Sequence, residues 1–195
     1  MMKMLKRWPV VATVLTALAL GACSPSPEKL AEQGSDVGLS TPPITTWEQP
    51  ALPAPFTDVD QSNPDDVAQA VVTELFRWKP QEGDLSPADA AERATALMTE
   101  SCIARYKNSW SAMMGLPGSL WQSWMEAHTT PTTTVTEARD PRPADEEMRS
   151  YRQYAVTVVA DNPTPTTITY NVMVVVDKLG WWQVSDIRID PPVIT

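Results

Sequence analysis

Between Thr166 and Val176 the chain alternates with a period of two. Ile168, Tyr170, Val172, Val174 and Val176 fall on one face of an extended segment, and Thr167, Thr169 and Asn171 on the other. A strand written this way is covered on one side and open to solvent on the other. Its apolar face therefore demands a second layer from elsewhere in the chain. Thr132–Arg139, Tyr151–Ala160 and Trp181–Ile189 are also rich in β-branched and aromatic residues and read as further strands. The turn Asp177-Lys178-Leu179-Gly180 and the loop Asp161-Asn162-Pro163-Thr164-Pro165 are short enough for hairpins, so the expected pairing is antiparallel.

The covering layer is written upstream, in helical periodicity. Asn63-Pro64-Asp65-Asp66 has a capping side chain, a proline at the first helical position and acids at the positive end of the dipole. Val67, Val71, Leu75 and Trp78 follow at helical spacing, and Lys79-Pro80 is the expected stop. Ser86-Pro87-Ala88-Asp89 repeats the start signal with capping-box spacing, and Ala91, Ala94, Leu97, Met98, Cys102, Ile103 and Tyr106 carry the helix onward. A third helix is expected over Leu120–His128. Helices first and a four-stranded meander second is an α+β arrangement: two or three helices on a curved antiparallel sheet.

The N-terminus has a different character. Lys3, Lys6 and Arg7 precede an eleven-residue apolar run, Val10–Leu20, which suits a signal peptide and is too short to span a bilayer. Leu20-Gly21-Ala22-Cys23 follows and resembles the lipobox of bacterial lipoproteins. The resemblance implies cleavage after Ala22 and attachment of diacylglycerol and fatty acyl chains such as palmitate to Cys23. The expected organisation is a signal peptide at 1–22, a lipidated tether at 23–61 and a folded domain at 62–195. The protein is expected on the extracytoplasmic face of a bacterial membrane. Residues 24–61 hold seven prolines and no helical or strand periodicity, so they cannot build a ladder. Such a tether reaches from ~35 to ~120 Å, depending on its stiffness. Trp47, Leu52 and Phe56 are its exceptions, placed to dock on the domain or on a partner.

Charge and composition exclude several functions. Residues 1–22 hold three cations and no acid, so cleavage would leave twelve Lys and Arg against 24 Asp and Glu, a formal charge of −12. A surface so acidic repels nucleic acid and anionic head groups, and acyl chains rather than basic residues are the expected hold on the membrane. With Cys23 acylated, Cys102 has no disulfide partner. His128 is the only histidine, no Cys or His pair has metal-ligand spacing, and no glycine-rich phosphate loop is present. Neither a metal nor a cofactor is expected, and no catalytic constellation stands out. Cys102 falls on an apolar helical stripe and reads as a buried structural thiol, His128 as a helix-terminal residue, and Asp145, Glu146 and Glu147 as a solvated loop.

Helices followed by such a meander, closed by Gly180-Trp181-Trp182-Gln183-Val184-Ser185-Asp186-Ile187, resemble the cone-shaped nuclear-transport-factor-two-like superfamily over residues 62–190. A Trp-x-Val-x-x-Ile ending recurs in that superfamily. Its membrane-tethered bacterial members include scaffold subunits of type IV secretion and conjugation machines and proteins associated with actinobacterial lipid import. Those scaffolds usually use a transmembrane helix where this chain has a lipobox-like sequence. The resemblance implies a protein-interaction module in an envelope assembly, with conjugation or type IV secretion foremost. Other relatives are isomerases or dehydratases, and by that resemblance His128, Tyr154 or Tyr170 would line a central cavity that takes a small molecule.

One stretch bears on both readings. Trp110, Met113, Met114, Leu116, Leu120, Trp121, Trp124 and Met125 concentrate large adaptable side chains in sixteen residues. They either plug the mouth of the cone or, through Trp110, Met113, Met114, Trp121 and Trp124, form a contact patch for a protein partner.

Overall fold

Both helix-start signals form as their chemistry dictates. The computed structural model describes residues 51–195; Ala22, Cys23, Trp47 and the rest of residues 1–50 lie outside the described residues. In α1 (Pro64–Leu75) the Asn63 side chain accepts a hydrogen bond from the Asp65 N–H at 3.0 Å. In α2 (Pro87–Ala94) Ser86 and Asp89 complete a reciprocal capping box. A single 3-10 turn (Thr95–Leu97) leads to α3 (Glu100–Tyr106), and α4 (Trp110–Met114) and α5 (Gly118–Glu126) follow. The strands are β1 (Thr132–Glu137), β2 (Arg149–Ala160), β3 (Thr166–Leu179), β4 (Trp181–Ile189) and the short β5 (Val193–Ile194). The sheet is antiparallel and open, in the order β1-β2-β3-β4, with β5 beside β3 beyond the end of β4. This is the expected α+β class, with more and shorter helices than the periodicity implied.

α1 stops at Leu75, one turn before Lys79-Pro80. The end of a helix leaves carbonyls without intrahelical partners, and here side chains take the carbonyls of Leu75 and of the two residues that follow it. Trp78 Nε1 donates to Leu75 O at 3.1 Å, Thr133 Oγ1 of β1 to Phe76 O at 2.7 Å, and Arg93 Nη2 of α2 to Arg77 O at 2.7 Å. The helix end is thereby bonded to both the sheet and its neighbouring helix.

The apolar faces of the strands and helices meet in one core. Tyr154, Val156 and Val158 of β2, Ile168, Tyr170, Val172, Val174 and Val176 of β3, and Trp182, Val184 and Ile187 of β4 are buried against Val67, Val71, Leu75, Ala91 and Leu97. Residues 51–61, assigned to the tether by their prolines, also pack on the domain. Phe56 is buried in the same core, Leu52 is partly buried, and the Gln61 carbonyl accepts the Trp182 N–H at 3.0 Å.

A buried ionic group ties α1 to α2. Glu74 and Asp84 are nearly inaccessible. Arg93 reaches Glu74 Oε1 through Nε at 2.7 Å and Asp84 through Nη1 and Nη2 at 2.5 and 3.1 Å. Arg77 lies 3.1 Å from the other Glu74 oxygen, and Asp84 also accepts the Lys79 N–H at 2.8 Å. Removing one partner of such a group leaves charges without compensation in low dielectric. We expect Arg93→Ala to lose about 3 kcal/mol, the low end of the range because part of the side chain meets solvent and Arg77 still serves Glu74. Arg149→Ala, at an exposed pair, should lose under about 1 kcal/mol. Urea unfolding of the two variants checks this, and equal losses would contradict it.

Candidate functional site

The residues marked in the sequence as an exposed patch face inward instead. Trp110, Met114, Trp121 and Trp124 are buried, and only Met113 is partly open. The reason is amphipathicity: α4 and α5 turn their large apolar side chains into the space between the helices and the sheet. Trp78 packs against Trp124 at 6.1 Å between ring centroids, against Trp121 at 6.3 Å edge-on, and against Tyr170 at 6.3 Å edge-on. Phe76 lies 4.8 Å from Tyr170, and Trp110 lies 5.5 Å from Tyr106. Trp110, Met114, Trp121 and Trp124 therefore belong to the core and are not exposed as a partner patch.

His128, Tyr154 and Tyr170 are not brought together around a cavity. Tyr154 and Tyr170 are buried on the inner face of the sheet, and burial pushes both phenols upward from their ordinary range. The Tyr170 hydroxyl and the indole nitrogens of Trp121 and Trp124 are buried without a hydrogen-bond partner. Cys102 is buried and free, its thiol pushed up to about 11, chiefly by burial and next by the Asp186 charge. A thiol so placed is a poor nucleophile.

His128 lies on the surface in the left-handed region, with φ 51°. It occupies the position just past the end of α5: its N–H donates to Met125 O at 3.3 Å, and the Thr129 N–H to Trp124 O at 2.9 Å. This pair of bonds is the Schellman closure, which usually takes glycine. The imidazole Nδ1 lies 3.2 Å from Gln81 Oε1. Its role is to end a helix. We expect His128→Gly to raise unfolding stability by about 1 kcal/mol, because glycine meets no Cβ penalty there. Thermal and urea unfolding check this; a loss of stability would give the imidazole a role beyond the cap.

The chemistry that remains lies on the outer face of the sheet. Cross-strand register puts Arg188, Met173 and Gln153 in one row, Asp186, Val175 and Tyr151 in the next, and Gln183, Asp177 and Arg149 in the last. A β-bulge makes this possible. Val175 pairs with Asp186 but Val176 with Val184, so Ser185 is the extra residue and Asp186 is carried to the outer face. Two adjoining grooves, of about 230 and 330 Å³, share Tyr151, Val175 and Asp186. The first is walled by Pro141, Arg142 and Pro143 over Met173, with Arg188 at its side. The second is bounded by Ser101 and Arg105 of α3 and by Arg149, Asp177 and Ser185.

The arginines are partly committed. Arg149 holds Asp177 bidentately at 2.7 and 2.9 Å, and these bonds keep the Asp177 carboxyl below its usual range. Asp186 Oδ1 accepts Arg105 Nη1 at 2.7 Å and also the Tyr106 hydroxyl. Arg142 Nη1 donates to the Tyr151 carbonyl, and Arg188 pairs with Asp190 at 3.3 Å. A guanidinium has five N–H donors, so each arginine keeps donors for a ligand carboxylate or carbonyl. Asp145, read as part of a solvated loop, is exposed there and also accepts from Nη1 of the buried Arg152 through both carboxylate oxygens, at 2.8 and 2.9 Å, a contact that lowers its carboxyl. Arg152 also bonds Asp65 of α1, so it fixes the loop wall to the helix layer.

Among the described residues no helix is long and apolar enough to cross a membrane, and no group of three or more His, Cys, Asp or Glu side chains is placed to hold a metal ion. Comparison with protein-family models, curated proteins and solved structures found no match.

Proposed function

We propose that this chain is a lipid-anchored extracytoplasmic interaction module, an accessory or scaffold subunit of an envelope assembly such as a conjugative or type IV secretion system. It takes a polypeptide segment of its partner on the outer face of the sheet. The observation that carries this reading is the groove over Tyr151, Met173 and Val175, an apolar floor between Arg142 and Arg188. An apolar floor suits side chains of the partner, and arginine donors suit its carbonyls and carboxylates. The anchor rests on the lipobox-like Leu20-Gly21-Ala22-Cys23. The alternative, a cone that binds or isomerises a small molecule at its centre, needs interior space where the rings of Phe76, Trp78, Trp124 and Tyr170 pack on one another.

Photo-cross-linking in the producing cells tests the reading. A photoreactive residue replacing Met173 should capture envelope proteins. Combining it with Arg188→Glu or with Cys23→Ala should reduce the adducts several-fold. A reactive residue at Gln122, exposed on α5, should give few. Equal capture from both positions, or none from position 173, would contradict the proposed surface.

A further inference from the structure

The two edges of the sheet are treated differently. On the β4 side, backbone from other parts of the chain takes up the outward-pointing groups around Trp182 and Val184. The Trp182 N–H donates to Gln61 O at 3.0 Å, the Thr99 N–H donates to Val184 O at 2.9 Å, and Met98 forms a parallel bridge with Val184. β1 is the opposite edge, and no such cover reaches it. The Ala138 N–H donates to Gln153 O at 2.8 Å, which sets the alternation of an antiparallel pair. Thr132, Thr134 and Thr136 exchange bonds with β2, and Thr133, Val135 and Glu137 point their N–H and C=O groups away from the sheet. Among the described residues, no hydrogen bond reaches those outward backbone groups.

An edge is commonly guarded by charged side chains, a proline, a bulge or a covering segment. Thr132–Glu137 holds no proline and no bulge: its register with β2 is unbroken over six residues, and Glu137, at its end, is its one charge. We propose that β1 pairs antiparallel with β1 of a second copy of this chain about a two-fold axis at Val135.

The choice of a second copy follows from the register. All three outward residues have the same parity, so a two-fold axis at Val135 makes every one of them part of a hydrogen-bonded pair. Val135 then faces Val135 of the copy, and Thr133 faces Glu137 in both directions, giving two bonds per pair. On the outer face Thr134 meets Thr136 of the copy, and Thr136 meets Thr134. Threonine pairs across strands are favourable, and like charges directly opposite are not. The one charge, Glu137, is kept off its own symmetry mate and already has Arg142 at 3.8 Å. In a chain of formal charge −9, this edge is one where a second copy approaches without direct repulsion. The contact is isologous and closes at two copies. The two sheets would become one, with the grooves over Tyr151 and Met173 on the same outer face of both halves.

Paired substitutions test the register itself. Thr134 and Thr136 are exposed, and their outer-face neighbours Thr157, Ala155, Thr169 and Asn171 are uncharged. Charges placed there should therefore leave the monomer folded. In the double variant Thr134→Lys/Thr136→Lys, like charges face each other twice. In Thr134→Lys/Thr136→Glu, opposite charges face each other twice. The full chain, in mild detergent, is measured by sedimentation and by amide exchange. The expected result is two-chain mass for the wild type and the Lys/Glu variant and single-chain mass for the Lys/Lys variant. Exchange at the Val135 and Glu137 amides should be slow in the first two and fast in the third. A wild type of single-chain mass would overturn the proposal. A Lys/Lys variant that stays paired, or a Lys/Glu variant that does not pair, would overturn it equally.

Discussion

Trp78 sits where α1, α5 and β3 converge, and its packing decides what kind of molecule this is. Its ring lies about 6 Å from Phe76, Trp121, Trp124 and Tyr170, and its indole N–H closes the end of α1. Aromatic rings at these separations bring large apolar area and favourable edge-on contacts together. The helix layer and the inner face of the sheet are thereby joined by side chains in direct contact. Because the strands alternate, everything the inner face does not use is presented on the outer one. That outer face presents Tyr151, Met173, Arg142 and Arg188 along one groove.

Polar groups then hold the layers in register. Arg93 joins α2 to the buried Glu74 of α1 and to Asp84, and its Nη2 takes the Arg77 carbonyl. Arg152 joins β2 to Asp65 at the start of α1 and to Asp145 in the loop that walls the groove. A buried arginine that must satisfy two carboxylates at fixed positions constrains geometry more than it adds net stability. The site and the core are mechanically continuous through Arg152: the residue that positions Asp145, and with it the wall around Pro141 and Pro143, is inward-facing on the sheet.

Much of this was legible in the residues because it is local. Asn63-Pro64 and Ser86-Pro87-Ala88-Asp89 cap helices by short-range hydrogen bonds, and the alternation of Ile168–Val176 sets which face of β3 is covered. The end of α1 was not legible, since the carbonyls of Phe76 and Arg77 just after it are taken by Thr133 and Arg93, distant in the chain. The fate of Trp110, Trp121 and Trp124 was open for a similar reason: a tryptophan suits a core and an interface equally, and only the packing of α5 on Trp78 decides between them. The outer groove was missed, though it left a signal. Trp182, Val184 and Ile187 are all buried, and their spacing of two and then three breaks the strand period. That break is the bulge at Ser185, and it is what turns Asp186 outward. The alternation of Arg149, Tyr151 and Gln153 marks the same face on β2. Arg152 sits on the opposite face as a charge in an apolar position, and only its distant partners Asp65 and Asp145 explain it.

The central claim is that the space between helices and sheet is filled and closed to solvent. Hydrogen exchange at the indole N–H groups of Trp78, Trp121 and Trp124, followed by NMR beside the backbone amides of β3, tests it directly. A filled interior predicts that the three indoles exchange only with global unfolding, at the rate of the slowest β3 amides. Indoles that exchange well ahead of those amides would show an interior reached by water from the folded state, and would return the function to a central cavity.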